Sequence, residues 1–216
     1  MSTDEDGVSP EDLATLAVRL QAVGVEALFV TASPELEPIT ALGGVALVGD
    51  LVLGAVVPLS LERLPTIVAK RATTLALMAN NRVALIFRDD EGGREVELLE
   101  AVKAASMMSG DGPLDFVGST IRLVGAYNEP RPDRDATLGV GAWTASPSEL
   151  LAKECDLVIV DGVADPGTAG GQMRVSARRG GEGGVFAAPT AVPVLIEIDG
   201  GDLDRICAIA RAELQL

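Results

Sequence analysis

The chain has 216 residues, with 32 Asp+Glu against 17 Lys+Arg and no histidine, for a formal charge of −15. The missing imidazole excludes Ser–His–Asp and Cys–His nucleophiles, a His general base, and zinc or haem held through His. The acidity and the 3% aromatic content disfavour nucleic acid as a partner, because phosphates call for clustered Lys/Arg and bases for aromatic platforms.

With so few rings, the core has to be built from Ala, Val, Leu and Ile. Any catalysis is left to carboxylates, Arg, Lys, hydroxyls, backbone amides or a bound cofactor. Cys155 and Cys207 are too sparse for a disulfide framework or a thiolate cluster and read as small core hydrophobes. Only Lys70, Lys103 and Lys153 stand beside fourteen arginines. Together with the acidity, this fits either a GC-rich genome or a saline cytoplasm whose salt screens self-repulsion. The opening residues MSTDEDG lack a basic and apolar leader. The most apolar run, Val45 to Leu59, is broken by Asp50 and is shorter than the roughly 20 residues that span a bilayer. A cytoplasmic protein without membrane contact is expected.

In chain order, Ser9 caps and Pro10 opens a helix in which Leu13, Leu16, Ala17, Leu20 and Val23 share a face, and Gly24 stops it. Val25 to Ala32 reads as a strand followed by a Pro-containing turn, and Val45 to Val57 as one long strand or a pair broken near Gly49-Asp50. Ser60 to Ala79 has helical periodicity, ended by Asn80-Asn81. Arg82 to Arg88 is a strand, Asp89 to Gly93 a turn, and Arg94 to Met108 an amphipathic helix. Its Glu95, Glu97 and Glu100 read as the solvated face rather than paired catalytic carboxylates. Ser119 to Ala126 is a strand, and Tyr127 to Asp135 an exposed loop. Ser146 or Ser148 opens a short helix, Asp156 to Asp161 is a buried strand, Val192 to Ile198 another, and Asp202 to Leu214 a last helix. Alternating helices and strands predict an α/β or α+β domain: a mixed sheet of about six strands flanked by helices over 1–216, with 127–135 as the candidate sub-domain boundary.

Ligands of open parallel sheets bind beyond the carboxyl ends of strands, which singles out the exit of Asp156 to Asp161. Gly162 to Gly184 follows, holding eight glycines and a local charge of +1 from Arg174, Arg178 and Arg179. A phosphate or carboxylate could be clamped there by the arginines and the amides of Gly170 and Gly171, with Asp161 or Asp165 orienting a hydroxyl or, with phosphate oxygens, holding magnesium. The bland alternative is a surface loop whose arginines pair with acidic neighbours. Neither a dinucleotide fingerprint nor a Walker A loop is present, since Gly139-Val-Gly141-Ala-Trp-Thr144 lacks the third glycine. Trp143 reads as core packing or an interface anchor.

Asp165, Pro166, Gly170 and Arg174, within Leu157 to Val185, resemble the first motif of the SpoU-type RNA methyltransferases, with Thr168 where that family has asparagine. The resemblance implies methyl transfer from a cofactor held in a knotted fold, although only about thirty residues follow the motif. The leading expectation is binding of a small anionic ligand or a protein partner, with assembly into a homo-oligomer. The alternative is an enzyme acting on a phosphorylated substrate or cofactor through 162–184.

Overall fold

A computed structural model describes residues 10–32, 36–61, 64–108, 110, 112–129, 139–144, 148–160 and 174–177. Helix α1 (Pro10–Ala22) has Glu11 and Asp12 in its first turn, where the helix dipole favours carboxylates. Its exit is a Schellman turn: Gly24 sits at φ +89°, its N–H donates to the Gln21 carbonyl, and the Val25 N–H reaches back to Leu20. Leu13, Leu16, Ala17 and Leu20 are buried, as their spacing predicts.

Strand β1 (Ala27–Thr31) leads not into a plain turn but into helix α2 (Pro38–Val45). Glu37 caps this helix by accepting from the Thr40 N–H at 2.7 Å, and Pro38 takes the first helical position. Ile39, Leu42 and Val45 turn inward. The expected Val45–Val57 strand is therefore corrected. Val45 closes α2, and only Val52–Pro58 forms strand β2. Gly43-Gly44 inside α2 hid the helix, because glycine is a poor helix former.

Helix α3 (Pro65–Met78) ends at Asn80 and Asn81, both at positive φ, and strand β3 (Val83–Arg88) follows. Helix α4 (Glu95–Met107) is succeeded by an antiparallel pair, β4 (Leu114–Val117) and β5 (Arg122–Ala126). The sequence reading merged part of that hairpin into one strand from Ser119. Strand β6 (Gly139–Thr144), helix α5 (Glu149–Glu154) and strand β7 (Leu157–Val160) complete the alternation. Ser148 caps α5 through its hydroxyl, which accepts from the Leu151 N–H at 3.1 Å.

The sheet order is β1-β2-β3-β6-β7-β8, where β8 is Arg174–Ala177. The first five strands are parallel and β8 runs antiparallel to β7. The expected mixed, six-stranded, helix-flanked α/β sheet is what forms. Two local readings are corrected. Gly139–Thr144, weighed only as a broken nucleotide fingerprint, is an inner strand between β3 and β7. Gly141 is small there because a Cβ would strike the Leu157 carbonyl oxygen and the Ile86 side chain, so the glycine reports close strand packing rather than a phosphate turn. Arg174–Ala177, read as part of a loop, pairs with β7 residue for residue from Val160↔Arg174 to Leu157↔Ala177, and its flanking glycines masked that short strand.

Side chains alternate between two faces of the sheet. On one face Leu28, Leu53, Leu85, Phe87, Val140 and Val158 join a single core with Leu42, Leu75, Val102 and Leu151 from α2, α3, α4 and α5. Burying each Leu or Phe there contributes roughly 1.5–3 kcal/mol. On the other face Phe29, Val56, Ala84, Ile86, Trp143, Leu157 and Ile159 form a second cluster, with no helical member among the described residues. Each step from one parallel strand to the next passes through a helix, and those helices pack on the same face. That is the winding of a β/α barrel wall, with Phe29, Val56, Ile86 and Trp143 on its inner side, rather than of a sheet covered by helices on both faces.

Candidate functional site

In barrels of this winding the chemistry sits at the carboxyl ends of the strands, where the loops are free to vary. Those ends are Thr31, Pro58, Arg88, Thr144 and Val160. Arg88 is the one charged residue in the five parallel strands. It continues the inward alternation of Ala84 and Ile86, and its register partners are Pro58 and Trp143. Its guanidinium lies 4.4 Å from the centre of the buried Trp143 ring. A planar cation over an indole face gains from the ring's quadrupole and is held in a defined plane.

The adjoining loops are ordered by carboxylates. Asp89 accepts from the Gly92 N–H at 2.9 Å and the Arg94 N–H at 3.0 Å, which folds the turn into α4. Asp90 accepts from both the N–H and the hydroxyl of Ser60, tying the exit of β2 to the exit of β3. Burial pushes the Asp90 carboxyl up, but the Ser60 hydrogen bonds and then the Arg94 charge outweigh it and hold it below the ordinary carboxylate range. Arg94 is held in turn by Glu97, whose carboxylate accepts from Nε at 2.9 Å, and it pairs with Glu91 at 3.5 Å. The rim thus offers a cation on an aromatic face beside a hydroxyl and an ionised carboxylate.

None of this was chosen from sequence. Asp161, Asp165, Gly170, Gly171, Arg178 and Arg179 lie outside the described residues, and Arg174 is described only as the first position of β8, opposite Val160. The strand-end rule applied to Asp161 applied equally to Arg82–Arg88, a strand read correctly, and would have pointed at Arg88 and Asp90.

The expectation for Glu100 is corrected. Its side chain is not on the solvated face but buried against the β4–β5 turn, where it accepts from the N–H and hydroxyl of both Ser119 and Thr120 and from the Ile121 N–H. Burial raises its pKa, yet those five donors overcome the penalty and set it at about 2. Glu95 and Glu97 do reach solvent. Cys155 is buried, and burial, then the Asp156 and Glu154 charges, push its thiol up to about 12, so it is an inert core residue as expected. Cys207 lies outside the described residues. Among the described residues no group of three or more His, Cys, Asp or Glu is placed to hold a metal, and no helix is long and apolar enough to cross a membrane. An open groove of about 540 Å³ lies between α2 and α3, lined by Ile39, Thr40, Arg71, Thr74 and Met78.

No protein-family model and no curated protein matches the chain. Solved structures do. An F420-dependent secondary alcohol dehydrogenase, solved with an F420–acetone adduct, superposes with a TM-score of 0.58 at 19% identity, over 69% of this chain and 53% of its own. The coenzyme F420-dependent tetrahydromethanopterin reductase of Methanopyrus kandleri gives 0.55 at 15% identity, over 68% and 49%. A riboflavin lyase with modified FMN and riboflavin gives 0.54 at 12%, over 68% and 45%. The fold these proteins share with the chain is TIM-barrel-like. The chain spans about half the length of the solved structures it matches. The matches lend no support to a SpoU-like methyltransferase.

Proposed function

We propose that the chain is the cofactor-binding part of a flavin- or F420-dependent oxidoreductase, with the ligand held at the carboxyl end of the five parallel strands. The observation that carries this reading is the singly wound wall, whose inner face ends in Arg88 on Trp143. It supplies a cation held on a buried aromatic ring in the region where the fold places its ligands, and the neighbours bind F420 and FMN, small anionic cofactors. The rim residues fit such a group. Trp143, buried beneath the guanidinium, fixes the plane of Arg88, whose charge matches a phosphate or an anionic ring edge, and Ser60 and Asp90 bring hydrogen-bonding capacity. A cofactor of this type supplies hydride chemistry, which suits a chain without imidazole. The part left to the protein is to bind the ring, fix its plane and keep water from its buried side. This reading keeps the expected small anionic ligand and moves its cation from Arg174, Arg178 and Arg179 to Arg88.

A thermal-shift titration with F420, FMN and riboflavin tests the proposal. A bound cofactor at a hundredfold excess over its Kd raises stability by about 2.7 kcal/mol. Melting curves unmoved by all three ligands would overturn it.

A further inference from the structure

Helices α2 and α3 differ from the other described helices in charge. α1 carries Glu11 and Asp12, α4 carries Glu95, Glu97 and Glu100, and α5 carries Glu149 and Glu154, whereas the 8 residues of α2 and the 14 of α3 include no carboxylate. In a chain with 32 acids and a charge of −15, that is a local exception. The two helices pack side by side, and the side they turn to solvent is largely apolar. Along α3 a stripe at helical spacing runs from Leu64 through Ile67, Arg71 and Thr74 to Met78, and along α2 another runs from Thr40 through Gly44 to Leu47. Leu47 is 72% exposed, and Leu64, Ile67 and Met78 are 43–50% exposed. The groove of about 540 Å³ lies between the stripes.

The polar groups on this face are easily covered. The Thr40 hydroxyl donates to Glu37 at 2.5 Å and the Thr74 hydroxyl to the Lys70 carbonyl at 3.3 Å, so neither depends on water for a partner. The stem of Arg71 is long enough to lie on apolar surface while its charge reaches the rim. Leu64 and Ile67 carry the apolar stripe past the residues that line the groove, farther than a small molecule seated there would cover.

We propose that the α2–α3 face is the contact between two copies of this chain in a two-fold dimer. Charge selects a second copy as the occupant. Two chains of charge −15 repel one another wherever both present carboxylates, and this face presents none from either helix. A two-fold contact is isologous, so the apolar stripes of one copy meet the same stripes of the other, and the gap over Gly43 and Gly44 leaves room for a facing side chain. The area is sufficient as well. Helices of 8 and 14 residues lying together offer a face roughly 20 Å long and 20 Å wide. With the relief of its side chains, such a face from each copy reaches the lower end of a standard interface, about 1,200 Å² in total. The contact lies on the helix-covered side of the sheet, so it leaves the strand-end mouth open and does not depend on the cofactor reading.

Sedimentation velocity and light scattering of the full chain test the proposal, with circular dichroism verifying the fold of each variant. The natural protein is expected at twice 22.2 kDa, with a Kd of about 1 μM or tighter. Leu47→Glu together with Thr74→Glu places carboxylates on both stripes and weakens the dimer by about a hundredfold or more. Val124→Glu, at a site 75% exposed on β5, adds charge away from the face and leaves the dimer intact. Molar KCl leaves the natural dimer intact or tightens it, because salt screens the repulsion between acidic copies and not an apolar contact. A monomeric natural protein, a dimer that salt dissociates, or a dimer unchanged by the folded double variant overturns the inference, as does equal weakening by Val124→Glu. If the double variant fails to fold, Thr74→Glu alone decides, since Thr74 is exposed: an unweakened dimer then counts against this face.

Discussion

The two faces of the sheet are made from similar residues and do different work. The helix-covered face runs without a break from Leu28 through Leu53, Leu85 and Val140 to Val158, with a helix over each step. The inner face carries fewer and more varied groups, is tightened by Gly141, and ends in a cation rather than in another aliphatic layer. The same asymmetry separates two carboxylates. Glu100, behind the helical layer, is buried with five donors and pins the hairpin to α4, whereas Asp90, at the rim, shares a hydroxyl and an amide of Ser60 in the open. A polar group saturated by its own fold is structural, and one placed at the strand ends with capacity to spare is where a ligand can enter.

Substitutions can break this comparison from either side. The largest effect is expected for Trp143→Ala, which removes the biggest side chain of the inner cluster: a loss of about 3–5 kcal/mol in urea melts, together with loss of flavin binding. Leu85→Ala, one residue from the inner face but pointing into the helical core, costs about 2–5 kcal/mol and leaves ligand affinity unchanged in whatever fraction stays folded. Glu100→Ala strands the amides and hydroxyls of Ser119 and Thr120 and destabilises by roughly 2–3 kcal/mol, again without an effect on binding.

Glu100 also has a pH signature. Its folded pKa of about 2 lies below the ordinary 4.5, so its contribution is present in full above 4.5, fades as the pH falls from 4.5 towards 2, and is gone below 2. Urea melts across that range flatten in Glu100→Gln if the carboxylate is the source. The smallest stability effect belongs to Ser60→Ala, about 1 kcal/mol or less because Ser60 is exposed, although the loosened Asp90 loop weakens ligand binding measurably.

The elements legible in the sequence are those with clean periodicity and strong punctuation: α1 between Pro10 and Gly24, α3 up to Asn80-Asn81, and strands β1, β3 and β7. The elements missed share small residues. Gly43-Gly44 disguised α2, Gly139 and Gly141 disguised β6, and the glycines around Arg174–Ala177 disguised β8. Losing α2 turned a regular strand–helix alternation into an irregular one and hid the barrel winding, which in turn hid the site. Arg88 and Trp143 are 55 positions apart and meet only through the β3–β6 register, so no local motif announces them. Glu100 was misread because α4 presents carboxylates on several sides, and only the hairpin, invisible to periodicity, decides which one is buried.

The central claim is that the ligand sits on the inner face, at the strand ends. A crystal structure of the chain with bound FMN or F420 tests it most directly. The account predicts the cofactor at the mouth, with its anionic group beside Arg88. A cofactor seated instead in the groove between α2 and α3, beside Ile39, Arg71 and Met78, would contradict it.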